Sequence, residues 1–179
     1  MFADEYELID RIAVALIRRR ERIGTAESCT GGLIAAACTS LSGSSEWFER
    51  GVVSYSNEAK SELLGVPKGL IALHGSVSAE VAEHMARGLL AHAPIDWALS
   101  VTGIAGPTGG SEAKPVGTVW LGLAWTLPRA TQEGLPAGGA APRVDSRTEC
   151  LHLDGDRAAI RAQTVAIALQ RLVAAATSA

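Results

Sequence analysis

One change of local pattern near residue 28 restricts the fold most strongly. Residues 22–26 have the length and apolar character of a buried strand, residues 28–32 form a glycine-bearing turn, and residues 33–39 form an alanine-rich helix. A buried strand that runs through a tight turn into a helix is typical of α/β proteins. The pattern therefore predicts an α/β fold with Ser28 at a strand-to-helix junction.

The same alternation of strands and helices continues along the chain. Further strands are predicted at 50–55, 97–102, 116–125 and 147–153, and helices at 8–20, 58–64, 79–91 and 157–175. Asn57, Ser78 and Asp156 are the expected N-caps of the last three helices. Because helices and strands alternate early and strands cluster late, we predict one domain over residues 1–179. Its expected architecture is a three-layer α/β/α sandwich with a mixed sheet.

Composition excludes several classes of partner. The chain has 179 residues, 47% of them hydrophobic and 20% charged, and its formal net charge is −3. This charge gives no reason to expect nucleic acid or an anionic membrane as partner. No apolar stretch reaches the roughly 18 residues of a membrane span, and the N-terminus does not resemble a secretory signal. The expected partner is a small molecule, and apolar helix faces are compatible with a homo-oligomer.

Two further features concern location and local order. The three cysteines, Cys29, Cys38 and Cys150, are odd in number and form no C-x-x-C pair, which is typical of the reducing cytoplasm. Residues 128–142 are rich in Gly, Ala and Pro without an apolar period, so we predict a flexible surface excursion there. We expect a cytoplasmic protein.

The reactive residues are a serine, a tyrosine and a lysine. Ser28 lies at the start of a helix, and Tyr55 and Lys60 lie five residues apart across a strand end and the first turn of the next helix. A lysine in a dry pocket has a lowered pKa and can take the serine proton as a free amine, while a phenol can relay a proton or hold the pair. This set predicts amide hydrolysis through a serine nucleophile.

Each of these residues also has an ordinary structural interpretation. Ser28 can be a helix cap, Lys60 a solvated lysine, and Tyr55 a tyrosine at the edge of the core. Cys29 is the competing nucleophile, because a thiol at a helix N-terminus can ionise more easily. Glu27 could fix Lys60 by charge pairing, but an ion pair would raise the pKa of the lysine and work against its use as a base, so Glu27 is a support residue at most.

Substrate contacts are expected from two turns and two arginines. Backbone N–H groups at Thr30, Gly31 and Gly32 can hold a developing oxyanion. The turn-rich segment after the third predicted strand, with Thr102, Gly103 and Gly106, follows a strand end where α/β sheets commonly bind ligands. Two positively charged side chains are candidates to hold a phosphate: Arg147 and Arg157.

Neither a metal nor a cofactor is expected. The four histidines are scattered and lack acidic partners at ligand spacing: His74, His84, His92 and His152. The glycine-rich segment 103–111 matches neither the phosphate-binding loop of nucleoside triphosphatases nor the dinucleotide-binding fingerprint.

Several motifs, in order along nearly the whole chain, resemble the CinA carboxy-terminal domain family. They are TAESCTGG at 25–32, GSS at 43–45, GVVSYSNEAK at 51–60, GIAGP at 103–107, GGS at 109–111, KPVGTV at 114–119 and GDR at 155–157. The resemblance implies that the family's catalytic serine, tyrosine and lysine fall on Ser28, Tyr55 and Lys60. Residues 128–142 are longer than the connection usual in the family.

The resemblance also implies a reaction, the hydrolysis of nicotinamide mononucleotide to nicotinate mononucleotide and ammonia without a cofactor. Two alternatives stay open at this point. One is a nucleotide-sensing or protein-interaction module that binds without turnover, and the other is an amidase for a different small amide. Dependence of turnover on the substrate phosphate separates the two enzyme hypotheses.

Overall fold

The structure, a computed structural model, describes residues 5–127 and 143–178. Its helices are α1 (Tyr6–Arg19), α2 (Leu33–Cys38), α3 (Asn57–Leu64), α4 (Lys68–His74), α5 (Ala79–His92) and α6 (Arg157–Ser178), with a 3₁₀ turn at Ser44–Glu46. Its strands are β1 (Ile23–Glu27), β2 (Phe48–Val53), β3 (Trp97–Gly103), β4 (Thr118–Thr126) and β5 (Val144–His152). The predicted flexible excursion at 128–142 lies outside the described residues.

The five strands form one mixed sheet in the order β2-β1-β3-β4-β5. β1 is parallel to both β2 and β3, whereas β4 is antiparallel to β3 and to β5. The last residue of β1, Glu27, is level with Val53 of β2 and Val101 of β3. Parallel strands bring their carboxyl ends to the same edge of a sheet. The residues that follow β1, β2 and β3 therefore meet at one place.

Helices cover both faces of the sheet. Apolar side chains of α1, α2 and α6 form one core with the sheet, including Ile12, Ile34 and Leu169. Side chains of α3, α4 and α5 form a second core on the other face, including Met85 and Leu89. The predicted three-layer α/β/α architecture with a mixed sheet is confirmed.

The local predictions differ from the structure by up to three residues at the bounds of β4 and β5, and three further differences concern α4, the N-cap of α3 and β2. Helix α4 was not predicted, because seven residues are too few to show a helical period. Pro67 was interpreted only as the end of the preceding helix, although it is also the N-cap of α4. The N-cap of α3 is Ser56, whose hydroxyl accepts from the Ala59 N–H at 3.0 Å, and not Asn57. β2 begins at Phe48 and ends at Val53, so Tyr55 lies beyond the strand.

The other two predicted caps are confirmed. Ser78 accepts a hydrogen bond from the Val81 N–H, and the Asp156 carboxylate accepts one from the Ala159 N–H at 2.8 Å. Among residues 5–127 and 143–178, no helix combines the length and the apolar character needed to cross a membrane.

Candidate active site

The turn after β1 fixes the position of Ser28. The Ser28 N–H donates to Val101 O at 3.0 Å, which extends the pairing of β1 with β3, and Ser28 O accepts from the Gly31 N–H at 3.1 Å. Gly31 and Gly32 then adopt φ values of +63° and +95°, which strain any residue with a Cβ. Two glycines thus let the chain turn into α2, and the Ser28 side chain is only 8% exposed.

Lys60 lies in the first turn of α3 and is buried to 1% exposure. Its Nζ donates to Ser28 Oγ at 3.1 Å, to Ser54 O at 2.9 Å and to Tyr55 O at 3.2 Å. Burial lowers the pKa of Lys60 below its ordinary value. In the neutral amine that burial favours, the two carbonyl oxygens can accept both N–H groups, which leaves the lone pair for the Ser28 hydroxyl, as a base requires.

The competing nucleophile, Cys29, is also buried, at 5% exposure. Burial raises the pKa of its thiol to about 11, so the thiol is protonated at neutral pH. A protonated thiol is a weak nucleophile. The environment thus favours Ser28 over Cys29.

Glu27 supports the turn by binding the N–H groups at the start of α2. Its carboxylate is buried to 1% exposure and accepts hydrogen bonds from the N–H groups of Gly32 at 2.9 Å, Ile34 at 3.1 Å and Ala35 at 2.8 Å. Thr25 Oγ1 donates a fourth hydrogen bond at 3.2 Å. Glu27 therefore caps α2 from the preceding strand. The usual capping signals miss this contact, because the cap does not come from the N-cap position.

This cap narrows the predicted oxyanion site. The Gly32 N–H is engaged by Glu27, and the Gly31 N–H is engaged by Ser28 O. For the Thr30 N–H, no hydrogen bond to an oxygen is found among the described residues. Of the three predicted donors, Thr30 is therefore the one whose N–H is left for an oxyanion.

The Tyr55 hydroxyl does not contact the serine–lysine pair. Tyr55 is 62% exposed, and its hydroxyl accepts from Arg157 Nη2 at 3.2 Å. Arg157 Nη1 also donates to Gly106 O at 2.9 Å. Tyr55 thus contacts Lys60 through its backbone carbonyl alone, and its ring and hydroxyl belong to a group with Arg157 and Gly106.

A cavity of about 190 Å³ joins these two groups. It is lined by Ser28, Cys29, Tyr55, Lys60, Ser76, Val77, Thr102, Gly103, Ala105 and Arg157. Most of the predicted site residues thus meet in one place. Ser76, Val77 and Ala105 were missed, since the loop that carries the first two has no recognisable motif.

Thr102 and Gly103 shape the floor of this cavity. Thr102 Oγ1 donates to Ser76 O at 2.7 Å and so holds the neighbouring loop. A Cβ at Gly103 would lie 2.7 Å from Val119 Cγ2 and 3.1 Å from Cys29 Sγ, so a larger residue would displace one of them. Only glycine fits here without a shift of the neighbours.

The structure does not bring Arg147 to the site. Arg147 lies on β5, where its Nη2 donates to Arg171 O at 3.2 Å. It lines a separate cavity with Glu149 and Arg171, which form an ion pair at 2.6 Å. The predicted phosphate contact of Arg147 is therefore not part of this cavity, because Arg147 lies on β5, the sheet edge farthest from β2, level with Leu123 in the middle of β4.

Comparisons with known proteins find similar sequences over nearly the whole chain. A family model described as the CinA C-terminal domain matches residues 5–176. Two relatives named nicotinamide-nucleotide amidohydrolase PncC, from Escherichia coli K12 and Pseudomonas putida, are each 48% identical over 166 residues. The alignments cover 93% of this chain and 91% and 93% of the relatives.

Solved structures show the same fold. A CinA superfamily protein from Klebsiella pneumoniae aligns with a TM-score of 0.81 and 36% identity, covering 97% of this chain and 98% of that one. The fold and the sequence thus match the same group of proteins.

Proposed function

This chain belongs to the CinA C-terminal domain family, and we propose that it is an amidohydrolase for nicotinamide mononucleotide. The reaction converts nicotinamide mononucleotide and water to nicotinate mononucleotide and ammonia. Two relatives that match over nearly their whole length carry the name of this activity. The observation that carries the proposal is the 3.1 Å contact between Lys60 Nζ and Ser28 Oγ in a buried setting.

The first half of the reaction forms an ester. Lys60 as a neutral amine accepts the Ser28 hydroxyl proton while Ser28 Oγ attacks the carboxamide carbon. The Thr30 N–H donates to the oxyanion that forms on the carboxamide oxygen. Lys60 then passes its proton to the amide nitrogen, the C–N bond breaks, and ammonia leaves.

The second half uses the same amine. Lys60, neutral again, accepts a proton from a water molecule that attacks the ester carbon. Collapse of the tetrahedral intermediate breaks the bond to Ser28 Oγ, which recovers the proton from Lys60. Nicotinate mononucleotide then leaves, and the enzyme returns to its starting state without a cofactor.

Arg157 and Tyr55 supply recognition in this proposal. Among the described residues, no carboxylate is within ion-pair distance of Arg157, whose hydrogen bonds go to Gly106 O and the Tyr55 hydroxyl. A guanidinium that is held in place but not neutralised suits an anionic group such as the substrate phosphate. The predicted proton relay through Tyr55 gains no support from its contacts.

The test is ammonia release by the purified protein from three compounds. We expect release from nicotinamide mononucleotide and far slower release from nicotinamide riboside and free nicotinamide, since both lack the phosphate. Equal rates with all three would favour an amidase for another amide. Binding of the mononucleotide without ammonia release would favour the sensing module. A cytoplasmic location and a homo-oligomer remain predictions of the same proposal.

A further inference from the structure

Two loops that line the cavity are tied together by one lysine. Lys114 Nζ donates to His74 O and to Val77 O, both at 2.7 Å. The backbone of Lys114 is itself fixed, because the Ser111 N–H donates to Lys114 O at 2.9 Å and the Lys114 N–H donates to Ser111 Oγ at 3.1 Å. The ammonium thus connects the β3–β4 loop to the loop between α4 and α5.

These contacts reach the α4–α5 loop from outside and add to the hydrogen bond that Ser78 Oγ donates to Gly75 O within it at 3.0 Å. Gly75 follows the last residue of α4 and has φ +76°, and a Cβ built there would lie 3.4 Å from Lys114 Nζ. The next two residues, Ser76 and Val77, line the cavity. Lys114 fixes the carbonyls of His74 and of Val77 itself, and Thr102 Oγ1 fixes the Ser76 carbonyl. Three hydrogen bonds, one from β3 and two from the β3–β4 loop, therefore hold the Ser76–Val77 wall.

The ammonium group of Lys114 donates its hydrogen bonds to carbonyl oxygens. Among residues 5–127 and 143–178, no carboxylate forms an ion pair with it. Hydrogen bonds from an ammonium are stronger than those between neutral groups, and the last carbonyls of a helix favour a cation. Fixing a lysine side chain costs conformational entropy, and the two 2.7 Å hydrogen bonds from the ammonium offset that cost.

We propose that Lys114 is a positioning residue for substrate binding, which holds the Ser76–Val77 wall at the distance that the bound nucleotide needs. The proposal rests on the proposed function. Lys114 acts on binding and not on the chemical step, because Lys60 is fixed by Ser54 O and Tyr55 O, contacts that do not involve Lys114.

The test compares Lys114→Met with the parent protein in ammonia release from nicotinamide mononucleotide. Loss of two charge-assisted hydrogen bonds should raise KM about tenfold or more, with kcat within about threefold. Lys68→Met is the matched control, since Lys68 is an exposed lysine of α4 outside the cavity, and its constants should equal those of the parent. An unchanged KM, or a loss confined to kcat, would overturn the proposal.

A second readout needs no turnover. Amide hydrogen exchange in a peptide spanning residues 74–78 should be faster in Lys114→Met than in the parent and in Lys68→Met. Unchanged exchange would overturn the proposal for Lys114 even if the parent released no ammonia. Failure of the Lys114 proposal is therefore distinct from failure of the proposed function. Lys114→Gln, which keeps a shorter neutral donor, should give an intermediate exchange rate, and it replaces the Met variant should that variant not fold.

Discussion

The two sides of the cavity are built in opposite ways. On the reaction side, Ser28, Lys60 and Glu27 are at most 8% exposed and lie next to parallel strand ends. On the recognition side, Tyr55 is 62% exposed, and it contacts Arg157, 102 residues further along the chain. The reaction side is thus held by the sheet, whereas the recognition side is assembled from loops and a helix start.

Because the two sides are built differently, we expect substitutions on each side to change different kinetic constants. On the reaction side, the Glu27 carboxylate accepts four hydrogen bonds and Lys60 donates three, so a change there disturbs the geometry of the attack. On the recognition side, the contacts of Arg157 are exposed or half-buried. Changes on the first side should lower kcat, and changes on the second should raise KM.

The largest effect is expected for Lys60→Met, which keeps the length of the side chain and removes the base. Ammonia release from nicotinamide mononucleotide should fall by roughly 10²–10⁴-fold in kcat, the usual contribution of a positioned base. Near-normal turnover would show that Lys60 is not the base. Lys68→Met is the control for a lysine lost elsewhere.

Glu27→Gln should have the next largest effect. The amide has one acceptor oxygen where the carboxylate had two, so at least one buried N–H of α2 faces a donor, at a cost of about 1–3 kcal/mol in unfolding free energy. If the same free energy is lost from the transition state because the Ser28 turn moves, kcat should fall by about tenfold or more. Thr25→Val, which removes only the fourth hydrogen bond, is the matched control. Urea unfolding and steady-state kinetics measure both effects, and an unchanged kcat would limit Glu27 to stability.

The lowered pKa of Lys60 predicts a pH dependence. Since the neutral amine is the active form, kcat/KM should rise about tenfold per pH unit up to a midpoint below the ordinary lysine pKa of 10.5, and then level off. The unfolded chain binds the proton more tightly, so the stability of the parent relative to Lys60→Met should increase with pH between the lowered pKa and 10.5. A kinetic midpoint at or above 10.5 would contradict the burial argument.

Tyr55→Phe should have the smallest effect. It removes one exposed hydrogen bond to Arg157, so KM should rise by less than about tenfold and kcat should stay near that of the parent. Steady-state kinetics with nicotinamide mononucleotide measure both. A hundredfold loss in kcat would instead assign the proton relay to Tyr55 and move this residue to the reaction side.

The reaction side was largely predictable from sequence, and the recognition side was not. Ser28 and Lys60 are found because each lies at a helix start with local signals, and parallel strands β1 and β2 bring those starts together. Arg147 lies away from the cavity for the opposite reason, since no local signal around an arginine shows which position its strand takes in the sheet.

Contacts between side chains and distant backbone atoms were missed for the same reason. The cap that Glu27 gives α2 and the contacts of Lys114 with His74 and Val77 depend on tertiary packing. Helix α4 left no signal because it is too short for a helical period.

The most direct test of the account is ammonia release from nicotinamide mononucleotide by Ser28→Ala and Cys29→Ala, each beside the parent. The serine–lysine mechanism predicts that Ser28→Ala abolishes release, because Lys60 loses the hydroxyl it contacts at 3.1 Å, and that Cys29→Ala retains it. Release by Ser28→Ala at the parent rate, together with its loss in Cys29→Ala, would show that the thiol attacks and would contradict the central claim.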